Sequence, residues 1–173
     1  MRLRIIVTLT FVSFALAAAL SAQTAKKLRV LAAPGITQNQ PKDWDNSLAA
    51  ADSNLVVQCP KCEPTTKLAF AATDIASLQY GDNAYHHWAA GAVTAFATLG
   101  VGAIVGFMPH HQHFFSIDLK NGRVLAIQAD KGDYKQIAGM LENLTGLPIQ
   151  TSAKDAHFLS GYNVKVAPGE GSK

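Results

Sequence analysis

The sequence predicts an α+β protein: a small antiparallel sheet or partial barrel, capped by a C-terminal amphipathic helix and carrying an inserted apolar helical segment. Three observations predict this class. Short alternating strand patterns occur between residues 54 and 128, one helical pattern follows them, and an uncharged run separates the strands. Strands followed by one amphipathic helix are typical of a sheet with a helix packed against it.

Residues 1–22 have the pattern of a secretory signal peptide. Arg2 and Arg4 give a positive start, Ile5–Leu20 is apolar, and Ser21-Ala22 provide small residues at the expected cleavage point. An uncleaved signal anchor is the alternative, because Leu20 fits a small-residue cleavage pattern poorly. We therefore expect an exported protein that is periplasmic or membrane-associated.

The mature chain is nearly neutral. The full sequence has 15 Lys+Arg against 12 Asp+Glu, and loss of Arg2 and Arg4 with the leader leaves 13 against 12. This balance gives no electrostatic reason to expect a nucleic-acid partner. About 150 residues remain, which is enough for one domain with a modest core.

Residues 23–53 are expected to be the least ordered part of the mature chain, because the segment is polar and contains loop-forming Pro and Asn. Two features stand out within it. Lys27–Ala33 has the composition of a short strand, and Trp44 is a large aromatic that needs a packing partner. Residues 150–173 are expected to form a flexible tail. The α+β domain then covers residues 54–149.

Cys59 and Cys62 form a C-P-K-C motif. In an exported protein this spacing favours a structural disulfide that closes a turn. A zinc half-site and a thioredoxin-like redox dithiol are the alternatives. Pro64 argues against the redox interpretation because it prevents a helix from running on from the second cysteine.

Strand and helix signals follow in order. Lys67–Tyr80 predicts two short strands with a turn over Ala71–Asp74. Phe115–Leu119, Asn121-Gly122 and Arg123–Gln128 predict a hairpin with a two-residue type I′ turn, which places Ile117 opposite Ala126. Next comes the helix. Asp133 is its predicted N-cap with Gln136 completing a capping box, and Gly146 ends it.

The inserted apolar segment covers residues 84–108. No Lys, Arg, Asp or Glu occurs between Asn83 and Ile117, and Trp88–Met108 is long enough to cross a bilayer. A same-side hairpin or re-entrant helix, a true span and a buried core helix are all compatible with its Ala/Gly-rich composition. The predicted membrane-contact residues are Trp88, Val93, Phe96, Leu99, Val101, Ile104, Val105, Phe107 and Met108.

Histidines flank the apolar segment. His86 and His87 precede it, and His110, His111 and His113 follow it. They are interpreted first as polar flanks of an apolar element. The sharper hypothesis is a transition-metal site for Zn, Cu or Ni, since a hairpin brings both flanks together. Its candidate ligands are His86, His87, His111 and His113.

The order of motifs resembles a group of exported bacterial proteins of uncharacterised function. The shared pattern runs from Asp74-Ile75 and Tyr80-Gly81, through an apolar insertion and His113, to Asp130-Lys131 and Leu141–Gly146. Strands followed by a helix also resemble pleckstrin-homology-like and GRAM-like domains at the level of fold. The resemblance implies no activity, and this chain has histidines where the group has Lys or Arg.

These observations predict a non-catalytic, membrane-associated binding or structural module. Its expected partner is membrane lipid or an apolar protein surface, and no cofactor is required. No serine lies in a nucleophile-elbow motif, and Gly100–Gly106 lacks the ending of a phosphate loop. The alternatives are a periplasmic metal-binding protein that uses the histidines and a thiol-disulfide protein that uses the cysteines.

Overall fold

The computed structural model describes residues 24–35, 44–81, 84 and 112–167. They form nine strands, one α-helix and two short 3₁₀ turns, η1 (Ala72–Asp74) and η2 (Ala156–Leu159). The helix, α1, spans Tyr134–Thr145. The strands are β1 (Thr24–Ala32), β2 (Asn46–Ala51), β3 (Asn54–Gln58), β4 (Lys67–Ala71), β5 (Ile75–Tyr80), β6 (His113–Leu119), β7 (Val124–Ala129), β8 (Ile149–Thr151) and β9 (Val164–Val166).

All nine strands belong to one mixed sheet in the order β4-β3-β2-β1-β7-β6-β5-β8-β9. The pairs from β4 to β5 are antiparallel, whereas β8 runs parallel to β5, and β9 runs parallel to β8. The predicted fold class is therefore wrong: the sheet is large and mixed, rather than a small antiparallel sheet capped by a helix with an inserted helical segment. The error comes from both ends of the chain. Residues 23–53 supply β1 and β2, and residues 150–173 supply β9.

Strand β1 contains a bulge between the part that pairs with β2 and the part that pairs with β7. Lys26 pairs with Ser47 of β2 and Leu28 with Asn46, so Lys27 is the extra residue, with a positive φ of 65°. Beyond the bulge, β1 pairs with β7, starting at Leu28 and Ala129. Bulges increase the local bend and twist of a strand. The bend directs the two halves of the sheet towards one shared core.

Twelve large side chains are fully buried in that core. They come from seven elements of the fold, which shows that both halves of the sheet and the helix enclose one apolar interior. These residues are Leu28, Leu48, Leu55, Leu78, Tyr80, Phe115, Ile117, Leu125, Ile127, Ile137, Met140 and Leu141.

The β6–β7 hairpin lies where the sequence predicts it, but its register differs by one residue. Ile117 pairs with Leu125, not Ala126, because Leu119 N donates to Arg123 O at 2.8 Å and closes a three-residue loop. Gly122 takes φ +79° in that loop. A three-residue loop that ends in a left-handed glycine is a common alternative to the two-residue turn. The change brings Leu125 and Ile127 to the core.

Helix α1 begins directly after Asp133 and ends at Gly146, which is left-handed with φ 67° and donates its N–H to Glu142 O. The capping box does not form. Asp133 makes no side-chain cap hydrogen bond. Gln136 instead donates to Thr24 O at 2.9 Å, so a contact with β1 replaces the local one.

Candidate functional site

The ends of β5 and β6 that face residues 82–111 meet at one place in the sheet. Tyr80, the last residue of β5, pairs with Phe115, and Gly81 N donates to Phe114 O at 3.0 Å. His113, the first residue of β6, pairs with Ala129 at the end of β7. We call this end of the β5–β6–β7 ladder the junction end. Because the strands are neighbours, Gly81 and Gln112, which flank residues 82–111 in the sequence, lie at the same end of the sheet.

Four side chains gather at the junction end, and we call them the junction cluster: Tyr80, His113, Tyr134 and Asp155. Strands β5 and β6 supply the first two, the first turn of α1 supplies Tyr134, and the loop between β8 and η2 supplies Asp155. The exposed fraction is 1% for Tyr80, 5% for His113 and 7% for Asp155. Buried polar groups of this kind need partners.

His113 lies at the centre of the junction cluster. Its Nδ1 is 2.6 Å from the Tyr80 hydroxyl. Its ring stacks on Tyr134 with centroids 3.8 Å apart and planes 6° from parallel, and Phe158 approaches edge-on at 5.6 Å. Aromatic contacts of these geometries are favourable beyond the area they bury. The imidazole is thus held by the stacked Tyr134 ring, the edge-on Phe158 ring and the contact with the Tyr80 hydroxyl.

Asp155 packs against the backbone of Gly81. Gly81 has φ +78°, and a Cβ at this position would collide with the Asp155 carboxylate. Ser152 Oγ donates to Asp155 Oδ2 at 3.0 Å, and Asp155 N donates back to Ser152 Oγ at 3.1 Å. Thr151 Oγ1 donates to Tyr80 O at 3.2 Å. The segment after β8 therefore fixes the backbone at the end of β5.

Burial raises the pKa of the Tyr80 hydroxyl well above its usual value, and the nearby Tyr134 and Asp155 raise this pKa further. The phenol therefore stays protonated at neutral pH, and its O–H can donate to His113 Nδ1. A phenol held in this state serves as a hydrogen-bond donor rather than as an acid or base at neutral pH.

Of the four predicted metal ligands, only His113 lies within the described residues; His86, His87 and His111 lie outside them. Among residues 24–35, 44–81, 84 and 112–167, no three His, Cys, Asp or Glu side chains are grouped as metal ligands. His113 Nδ1 is already 2.6 Å from the Tyr80 hydroxyl. The metal site stays a prediction that depends on the other three histidines.

Cys59 and Cys62 lie side by side in the loop between β3 and β4, with Cα atoms 5.3 Å apart. This separation is within the range of disulfide-bonded pairs. Cys62 N donates to Cys59 O at 3.0 Å and Cys59 N donates to Thr66 O at 2.8 Å. The pair leads into strand β4, whereas low-pKa thiols of redox proteins lie at helix N-termini.

All predicted membrane-contact residues, from Trp88 to Met108, lie outside the described residues. Within the part that the structure does describe, no helix is long and apolar enough to cross a membrane.

A second polar group, on β5 and β6, surrounds Asp118. Its Oδ2 accepts from Ser77 Oγ at 2.5 Å and from Gln79 Nε2 at 3.2 Å, while its Oδ1 accepts from Ser116 Oγ at 3.3 Å. These four residues stabilise the pairing of β5 with β6. The group thereby supports the two strands to which residues 82–111 are attached.

Sequence reasoning singled out His113 but missed the other three members of the junction cluster as site residues. Tyr80-Gly81 was part of the recognised motif pattern, which could have marked the end of β5. Tyr134 belonged to the same motif pattern and to the predicted apolar face of the helix, with no role at a site assigned to it. Asp155 had no signal, since it lies in a segment without strand or helix periodicity.

No known protein family and no curated protein matches this chain. Among solved structures, the chain is similar to a chain in "Structure of the Spt16D Pob3N heterodimer", with 12% sequence identity and a TM-score of 0.42. The likeness covers 86% of this chain and 62% of that chain, so the chain spans less than two thirds of its neighbour's length. A likeness this distant assigns neither a fold family nor a function.

Proposed function

We propose that this chain is an exported, non-catalytic module that presents residues 88–108 to a membrane or to an apolar protein partner. One observation carries the proposal: β5 and β6 are adjacent antiparallel strands, so the uncharged run begins and ends at the junction end of one folded sheet. Because both ends of the segment are attached at the same end of the sheet, the folded domain can hold the whole segment against one membrane or protein surface.

Chain length favours a same-side arrangement over a single crossing. A straight helix over Trp88–Met108 would be about 31 Å long, and the other nine residues of 82–111 would have to bring the chain back over that length. Nine residues reach about 31 Å only when fully extended, and extended backbone in hydrocarbon leaves its polar groups unpaired. A hairpin or partly inserted segment avoids this cost.

The junction cluster supports a structural role beneath that segment. Tyr80 and His113 contact each other, and Asp155 is held by Ser152. These side chains are buried and occupied with one another, as expected of groups that fix the ends of two strands. We further infer kinship with the exported bacterial group from the motif pattern alone, and a pleckstrin-homology-like fold from the order of strands and helix.

Fractionation of expressing cells tests the proposal. The full chain should stay with the membrane pellet after a carbonate wash. A variant in which Trp88–Met108 is replaced by a Gly/Ser segment of equal length should be released, with an unchanged circular dichroism spectrum of the sheet. Two smaller variants, Leu99→Asp and Ile104→Asp, should weaken retention because they place a charge in the apolar run.

Val166→Asp provides the matched control. Val166 is a large apolar residue outside the run and is 46% exposed, so this change should leave retention unaltered. Complete release of the unmodified chain as a soluble monomer would contradict the proposal. Retention by membranes but not by protein-free vesicles would favour the apolar protein partner.

Transition-metal binding is a second candidate function, favoured by the same strand pairing. His86, His87 and His111 lie within seven residues of Tyr80 or His113 in the sequence, so all three are attached near the junction end. Untagged protein should bind to immobilised Ni²⁺, and His86→Ala, His87→Ala and His111→Ala together should abolish binding. His157→Ala is the control, because His157 is exposed and its Nδ1 contacts its own loop at Lys154 O. No retention of the unmodified protein rejects this function.

A further inference from the structure

We infer that the junction end carries a basic surface that recognises anionic lipid headgroups around the attachment of residues 82–111. This inference rests on the proposed membrane association and names its lipid partner. The surface consists of four lysines, which we call the rim lysines: Lys27, Lys131, Lys135 and Lys154.

The fold brings the rim lysines together from three separate parts of the sequence. Lys27 is the bulged residue of β1, and its carbonyl accepts from Asp130 N at the end of β7 at 3.2 Å. Lys131 follows in the turn before α1, and Lys135 lies in the first turn of α1 with its Nζ 6.0 Å from the Tyr134 ring centroid. Lys154 lies one residue before Asp155, which packs on Gly81. Lys135 and Lys154 are therefore next to members of the junction cluster, and Lys27 and Lys131 are next to Asp130 at the junction end of β7.

At the junction end, the positively charged side chains are more exposed than the negatively charged ones. The four rim lysines are exposed, whereas Asp130, Asp133 and Asp155, the carboxylates near Lys131, Lys135 and Lys154 in the sequence, are half-buried or buried. Asp155 is also held by Ser152, and Asp130 Oδ2 accepts from Gly132 N at 3.4 Å. The outward-facing charge at the junction end is consequently positive.

A positive rim beside an uncharged segment fits an anionic bilayer surface. An apolar element of marginal hydropathy binds membranes more strongly when basic side chains contact anionic headgroups at the same time. Lysine suits this position because its long stem can lie along apolar surface while the ammonium reaches the phosphates. A nearly neutral chain can still bind in this way, since the headgroup field acts on charges within a Debye length.

Vesicle flotation of the chain without its predicted signal peptide, residues 1–22, tests the inference. Binding should be stronger to vesicles containing phosphatidylglycerol than to phosphatidylcholine alone. It should weaken as salt shortens the Debye length from about 30 Å to about 3 Å. The triple variant Lys131→Gln, Lys135→Gln, Lys154→Gln should lose about fivefold in affinity per lysine, on the order of a hundredfold in all. Lys27 is left unchanged because its positive φ belongs to the bulge.

The matched control removes three other exposed cations: Lys67→Gln, Lys120→Gln and Arg123→Gln. Both triple variants have the same net charge, so only the position of the charge differs. Equal weakening by the two variants, or equal binding to both vesicle types at all salt concentrations, would overturn the inference and leave membrane association standing. Failure of the unmodified chain to bind either vesicle would overturn lipid association itself.

Discussion

The two ends of the β5–β6–β7 ladder differ in what packs around the connection between neighbouring strands. At the far end, which we call the turn end, β6 connects to β7 through the exposed residues 120–123, and Gly122 has open space around its α-carbon. At the junction end, Gly81 has a similar φ, but the Asp155 carboxylate packs directly on it. A local turn needs only its own residues, whereas the junction end recruits α1 and the segment after β8. The difference indicates that the strand ends flanking a long connection are fixed by tertiary contacts, which a short turn does not need.

Glycine substitution should separate the two ends most strongly. Gly81→Ala combines a strained positive φ with a collision against Asp155, so we expect a loss of about 3 kcal/mol in the free energy of unfolding. Gly122→Ala has the strain without the collision and should cost about 1 kcal/mol. Urea unfolding of both variants gives the two values. Equal losses would show that Asp155 does not pack tightly on Gly81.

Tyr80→Phe tests the hydrogen bond inside the junction cluster. The substitution removes the hydroxyl that lies 2.6 Å from His113 Nδ1 and with it this buried hydrogen bond. We expect a loss of about 1–2 kcal/mol in the free energy of unfolding. Ser77→Ala, which removes one donor to the half-buried Asp118 and leaves Gln79 and Ser116 in place, should cost less. The opposite order would place the more important polar group at Asp118.

Alkaline pH should weaken the junction end through the same hydroxyl. The pKa of Tyr80 is raised in the folded state by burial, so above about pH 10 the unfolded chain releases a proton that the folded chain retains. The free energy of unfolding should then fall by up to about 1.4 kcal/mol per pH unit. Tyr80→Phe should reduce this slope relative to the unmodified chain in denaturant titrations. Identical slopes would contradict the shifted pKa.

The smallest effect is expected at the turn end. Asn121 Oδ1 accepts from Arg123 N at 3.0 Å in an exposed loop, where water can replace the lost acceptor. Asn121→Ala should change the free energy of unfolding by about 0.5 kcal/mol or less. A loss as large as that of Tyr80→Phe would remove the contrast between the two ends.

Local patterns predicted the elements whose causes are local. Lys67–Tyr80 contains β4, η1 and β5 as expected, and Gly146 ends the helix because its left-handed conformation is intrinsic to glycine. The hairpin register was wrong because the loop has three residues rather than the predicted two. The burial pattern could not correct it, since Phe114 and Ser116 on one face of β6 are buried like Phe115 and Ile117 on the other. Alternation cannot then identify the core face.

Distant partners decide what the sequence could not predict. A short strand was expected at Lys27–Ala33, but the start of β1 at Thr24, its bulge and its place in the sheet depend on β2 and β7. β9 is only Val164–Val166, and it is held by parallel pairing with β8. The junction cluster likewise combines residues from four regions of the chain, and no spacing rule relates Asp155 to Gly81. The candidate site was thus predictable at His113 alone.

The pairing of β1 with β7 also has a consequence for the order in which the protein folds. Arg29 and Gln128, which contact each other across these strands, are 99 residues apart in the sequence. Sheets built from such distant pairings have a high contact order and fold slowly, because a long loop must close before the contact forms. Strand β1 therefore has no partner in β7 until most of the chain has been synthesised. Completion of the core belongs to the end of the folding reaction, after β7 and α1 have become available.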